Sequence, residues 1–111
     1  MADDEDLAHR VRELLAGEDG LSEVRMFGGL AFLLGGNISV AVSSRGGLLV
    51  RVGPDAHAAA LSRPHTEAPI MGGRTMRGWI RVSADGLSSR RQLRSWVQRG
   101  AAVARSLPPK G

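Results

Sequence analysis

Apolar residues recur at Leu7, Val11, Leu14 and Leu15, the spacing of one face of a helix. This pattern predicts a helix over 4–16. The acids from Asp3 to Asp6 fall in its first turn, where the helix dipole favours negative charge, and Gly17 supplies the stop. Beyond it the pattern shortens to strands separated by glycine. Glu23 to Phe27 is strand-like and ends at Gly28-Gly29, and Leu30 to Leu34 is a continuous apolar run suited to a strand covered on both faces. Gly35-Gly36-Asn37 is a hairpin connection, because these residues tolerate positive φ. In Ile38 to Ser43 the alternation puts Ile38, Val40 and Val42 on one face and Ser39, Ala41 and Ser43 on the other. Arg45-Gly46-Gly47 makes a second turn before a strand over Leu48 to Val52. Successive strands joined by tight turns imply an antiparallel meander.

Gly53-Pro54-Asp55 opens a short helix through Leu61, and 62–73 is irregular, punctuated by Pro64, Pro69, Gly72 and Gly73. Arg77 to Val82 is the next strand, and Asp85-Gly86 is a turn. The last helix starts at Ser88 or Ser89 and runs to Ser106, with Ser89 and Gln92 spaced as a capping box and Pro108-Pro109 as its stop. Leu93, Trp96, Val97, Gly100, Val103 and Ala104 share one face. The order α-β(4)-α-β-α predicts an α+β two-layer sandwich: an antiparallel sheet of about five strands backed by helices. Leu93, Trp96 and Val97 should meet Leu7, Val11, Phe32, Val40 and Val50 in the core. The whole of 1–111 reads as one domain, with 1–3 and 108–111 as flexible tails.

Composition narrows the chemistry. The 111 residues contain no cysteine, so disulfides, thiolate nucleophiles and cysteine-ligated zinc are excluded. The longest apolar run falls far short of the ~20 residues that span a bilayer. The acidic start, Met-Ala-Asp-Asp-Glu-Asp, is no secretory signal, and the expected compartment is the cytoplasm. The net charge of +4 hides a split: eight of the eleven acids lie in residues 1–23, and thirteen of the fifteen bases lie in 24–111. All the bases except Lys110 are arginine, the better residue for bidentate phosphate contacts, although a G+C-rich coding sequence produces the same excess.

Two basic sets stand out. On a strand over 77–82, Arg77, Trp79 and Arg81 would share a face, with Arg74 just ahead of them; an indole between guanidinium groups can stack on a base while arginine contacts phosphate. The plainer alternative packs Trp79 under a helix with the arginines reaching out at the edge. On the last helix Arg91, Arg94, Gln98 and Arg105 fall within about a 60° arc at 100° per residue. The two sets are close enough in sequence to merge into one patch. Neither Gly28-Gly29 nor Gly72-Gly73 has the spacing and lysine of a phosphate-binding loop. His9, His57 and His65 make no metal-ligand pattern, and nothing activates a particular serine, so no catalytic residue, metal or cofactor is expected. The rival reading is a small-molecule site or enzyme using the loop 62–77, with a pocket lined by His65, Met71 and Arg74.

The blocks Arg25-Met26-Phe27-Gly28-Gly29-Leu30-Ala31-Phe32, Gly36-Asn37, Leu49-Val50-Arg51-Val52-Gly53, Pro64-His65, Gly73-Arg74-Thr75-Met76-Arg77-Gly78-Trp79 and Trp96-Val97 to Lys110 together resemble the TfoX/Sxy N-terminal-domain family. They occur in the family's order over roughly residues 10 to 110. The resemblance implies a two-layer α+β sandwich and a bacterial, transcription-associated role. The family's competence regulators carry a second, helical domain, so this chain is expected to be the stand-alone form. Many single-domain relatives carry cysteine after the Gly36-Asn37 turn, where this chain has Ser39 and Ala41. The function expected is a non-enzymatic regulatory or adaptor module working by protein or nucleic-acid contact, with a homodimer open. The acidic first helix would repel a phosphate backbone on its own side, which favours protein or mixed partners.

Overall fold

The computed structural model describes residues 2–26, 29–43, 46–71 and 73–109, with the backbone alone for 2–4, 26, 70–71 and 74–75. Helix α1 spans Ala2–Leu15, two residues ahead of the expected start, and Gly17 ends it at φ +92°. Its stripe of Leu7, Ala8, Val11 and Leu15 is buried. Strands β1 (Leu21–Met26), β2 (Gly29–Leu34), β3 (Asn37–Val42) and β4 (Leu48–Arg51) follow as the expected meander. The two residues between β2 and β3, Gly35 and Gly36, both hold positive φ (60° and 82°), the requirement of a tight hairpin turn. Helix α2 is shorter than expected, His57–Leu61, because Pro54 and Asp55 stay in the preceding turn.

The strand expected over 77–82 is only four residues, β8 (Trp79–Val82). Gly78 sits at φ +86°, which breaks extended geometry and leaves Arg77 in a turn. The irregular segment holds three two-residue strands, β5 (Thr66–Glu67), β6 (Ile70–Met71) and β7 (Arg74–Thr75). β6 and β7 pair only with each other, while β5 adds a sixth strand to the main sheet, ordered β1-β2-β3-β4-β8-β5 with every neighbour antiparallel. A 3₁₀ turn over Ala84–Leu87 leads into α3, Arg90–Ser106. Ser89 and Gln92 form the capping box expected there.

The core lies between one face of the sheet and the three helices. Phe32, Val40, Val50 and Ile80 stand opposite one another across β2, β3, β4 and β8, and each is fully buried. Leu7, Val11, Ala60, Leu93, Trp96 and Val97 cover that row from the helices. All eight residues expected in the core are buried.

One expectation fails at β3. Phe32 pairs with Val40 but Leu33 pairs with Ile38, so Ser39 is an extra residue in a β-bulge. The insertion reverses the alternation. Ile38 therefore joins Leu33, Ala31, Ala41, Leu49 and Trp79 on the outer face, instead of sharing the core with Val40 and Val42. Ser39 is fully buried, and its hydroxyl donates to the Phe32 carbonyl at 2.8 Å. Gly100 of α3 lies against this bulge so closely that a Cβ there would sit 2.4 Å from the Ser39 carbonyl oxygen. The chain after α3 is also tied down: buried Asn37 donates to the Pro108 carbonyl at 2.9 Å.

A candidate basic face on the last helix

Helix α3 carries five arginines, Arg90, Arg91, Arg94, Arg99 and Arg105, and no acid. Burial of Leu93, Trp96, Val97, Gly100, Ala101 and Ala104 against the sheet fixes which side of the helix remains outside. Arg90, Arg91, Arg94 and Gln98 stand on that outer side, all exposed. Among the described residues none of the three arginines has an acidic partner within ion-pair distance, whereas Arg105 is paired with Glu18 at 2.8 Å. Arg105 keeps its place on the helix but is engaged, fastening α3 to the α1–β1 connection.

Trp96 anchors the adjoining end of this face. Its ring is buried, and the guanidinium groups of Arg63 and Arg99 both lie 5.3 Å from the ring centroid. A charge held over an indole keeps its donors free at the edges while its flat face is desolvated. Nη1 of Arg99 is buried with no hydrogen-bond partner. An open depression of about 710 Å³ runs between the side chains of Arg90, Arg91, Arg94, Ser95, Gln98 and Arg99. Ser95 also borders a smaller cleft of about 140 Å³ with Arg63, Pro64, His65, Gly86, Gln92 and Trp96. His65 is held at φ +65°, an uncommon conformation for a non-glycine residue. Its carbonyl accepts from the Ser83 amide at 2.9 Å, and Gly86 gives its Cβ room. His65 thus braces the turn into β5.

The residues singled out on 77–82 lie elsewhere. Ile80 and Val82 point into the core beneath the helices, so Trp79 and Arg81 occupy the opposite, outer face of the sheet. Trp79 packs on Ala31, Ala41 and Leu49 with Arg51 over its ring at 5.7 Å, so it lies on a sheet face and not under a helix. Arg81 is engaged: Nη2 donates to the Gly46 carbonyl at 2.7 Å and Nε lies 3.6 Å from Glu67. Arg77 is exposed in its turn and shares no strand face with them. The two basic sets therefore belong to opposite layers and do not merge. The side chains of Arg74 and Met71 lie outside the described residues, and the cleft beside His65 is lined from α3. Sequence reasoning missed Arg63 and Arg99. The i, i+3 spacing of Trp96 and Arg99 was a signal for one of them.

Away from this face, Arg12 donates two hydrogen bonds of 2.7 Å to Glu23, joining α1 to β1. These bonds hold the Glu23 carboxyl below the usual carboxylate range. Among the described residues no three of His, Asp and Glu gather as metal ligands, and no helix is long and apolar enough to cross a membrane.

Comparison with curated proteins and with solved structures finds no match. The family model of the TfoX N-terminal domain matches residues 13–104, from the last turn of α1 through most of α3. That span includes the meander, β8 and the arginine-bearing face of α3, and the chain belongs to the TfoX N-terminal domain family.

Proposed function

We propose that this domain is a non-catalytic regulatory module whose α3 face binds the phosphate backbone of nucleic acid. The carrying observation is a 17-residue helix with exposed Arg90, Arg91 and Arg94 and no acid of its own. Arginine suits phosphate because its planar fork donates two parallel hydrogen bonds. Most acids of the N-terminal segment belong to α1, which packs beside α3, and its Glu13 shares a small cleft with Arg90, so Arg91 and Arg94 are the residues tested. Readout of base sequence is expected to be weak, since the face offers charge more than shape for a groove. Family membership supports the transcription-associated setting.

Each neutralised phosphate releases a counterion. Three arginine contacts on duplex DNA then give a log–log salt slope of about −2.7, or about a 40-fold loss of affinity between 50 and 200 mM salt. The test is a salt titration of binding to short duplex and single-stranded DNA, repeated with Arg91→Glu/Arg94→Glu. Loss of binding in the double variant supports the reading. Absence of binding at 50 mM salt, or indifference to the substitutions, removes it.

One observation favours a second reading, a protein partner. On the outer sheet face half-buried Leu33, Ile38 and Trp79 lie over buried Ala31, Ala41 and Leu49, and this apolar cluster includes no helix residue among those described. A pull-down from the native host that is unaffected by nuclease, and abolished by Ile38→Lys, would favour that partner over nucleic acid.

A further inference from the structure

The two edges of the main sheet differ. At one end stands β5, only two residues long and too short to template another strand. At the other stands β1, six residues, Leu-Ser-Glu-Val-Arg-Met, without proline or lysine. Antiparallel alternation directs the backbone N–H and C=O of every second residue of β1 away from β2. From Ser22 to Arg25 the strand is exposed, and Val24, 41% exposed, is the large apolar side chain that the described surface displays.

The order of side chains on this edge is self-complementary. Glu23 and Arg25 lie on the helix side of the sheet, opposite Phe32 and Leu30, and Val24 lies on the outer side, opposite Ala31. Two copies joined edge to edge by a two-fold axis normal to the sheet must pair residues of the same face. With Val24 on the axis, Val24 meets its own copy, and Glu23 of each chain stands opposite Arg25 of the other. Moving the axis by half a residue, a register slip of one, pairs the wrong faces. Centring it on Glu23 or Arg25 sets like charges opposite each other. One register therefore satisfies both charge and face, and its neighbours are penalised. Arg25 has no acidic partner within its own chain among the described residues. Glu23 already accepts two bonds from Arg12, and a carboxylate has acceptor sites for another donor.

We propose that β1 is a self-association edge: a second copy of this chain pairs antiparallel through β1 about Val24, extending the sheet to twelve strands. The paired edges join the outer apolar faces of the two copies through the Val24 contact. An edge of this length buries little surface, so the dimer is concentration-dependent rather than obligate.

Sedimentation equilibrium over a wide concentration range tests this on the full chain. Wild type is expected to dimerise, and Glu23→Lys and Arg25→Glu each to weaken self-association about ten-fold or more, because both cross-strand pairs turn repulsive. An equimolar mixture of the two variants restores opposite charges at both positions and is expected to dimerise. Val24→Lys, which leaves both charged residues and the Arg12–Glu23 bonds in place, should also give monomer. A wild type that remains monomeric, a single variant that dimerises as well as wild type, or a mixture that stays monomeric would overturn the proposal.

Discussion

Replacing Gly100 by alanine should destabilise the protein, although glycine inside a helix is normally a weak point. The intrinsic preference for alanine at a helix interior favours the variant by about 1 kcal/mol. Against it stands the bulge of β3. The new methyl would lie 2.4 Å from the Ser39 carbonyl oxygen, 2.7 Å from a Val40 methyl and 3.0 Å from the Ser39 carbonyl carbon. Two of these atoms are backbone of a central strand, which cannot swing aside as a side-chain tip does. Relief requires α3 to lift from the sheet by about 1 Å, and a gap of that size forfeits up to about half of each dispersion contact across it. Leu93, Trp96, Val97, Ala101 and Ala104 all make their burial on that surface. Overpacking of this kind costs about 3 kcal/mol at the upper end of its range, so the net loss is about 2 kcal/mol. Urea unfolding followed by far-ultraviolet circular dichroism measures it. Exposed Ala102→Gly on the same helix calibrates the propensity effect, with an expected loss of about 1 kcal/mol. A Gly100→Ala protein as stable as wild type, or more so, would refute the close contact between α3 and the bulge.

Other outcomes follow from the same packing. Trp96→Ala should cost about 3–5 kcal/mol and release Arg63 and Arg99 together, detectable by thermal melting. Ser39→Ala removes a buried donor to the Phe32 carbonyl and should cost about 1 kcal/mol in the same urea assay. The Glu23 carboxyl titrates lower in the folded chain than in the unfolded one, so its contribution is fully present above the ordinary value of about 4.5 and fades as pH falls through the lowered folded value. Melting curves of wild type and Glu23→Gln should therefore differ at neutral pH and converge in acid; a difference that grows in acid would contradict the Arg12 pairing. His65→Gly should leave stability unchanged or raise it, because glycine occupies φ +65° without a Cβ penalty, whereas a marked loss of stability would show that the imidazole itself holds the turn.

Much of the fold was legible because local chemistry and global packing agree. The capping box at Ser89 and Gln92, the paired glycines at 35–36 and the stripe from Leu93 to Ala104 each state one structure without reference to distant residues. Ser39 shows where this stops. A period-2 pattern carries no mark of an inserted residue, and Ile38 satisfies either face because both faces of this sheet are apolar. β5 was invisible for a different reason: two residues cannot display alternation, and Thr66–Glu67 becomes a strand only because β8 offers it a partner. At the candidate face, Arg91 and Arg94 could be placed on one helix side from spacing alone. Arg63 could not be brought to Trp96, because that neighbourhood depends on how α2 and the following turn fold back toward α3. Arg81 was readable as a charge but not as the clamp on Gly46, since its partner lies 35 residues away.

The placement of the two indoles makes the protein its own optical instrument. Trp96 is buried under the helices beneath two guanidinium groups, and Trp79 is half-buried on the far side of the sheet beneath one. Their emission reports on separate layers. A polyanion drawing Arg63 and Arg99 toward it would change the quenching of Trp96 and leave Trp79 alone, while a partner seated on Leu33 and Ile38 would shift Trp79 to shorter wavelength. With Trp79→Phe to isolate Trp96, an unlabelled titration can tell which layer a ligand has touched.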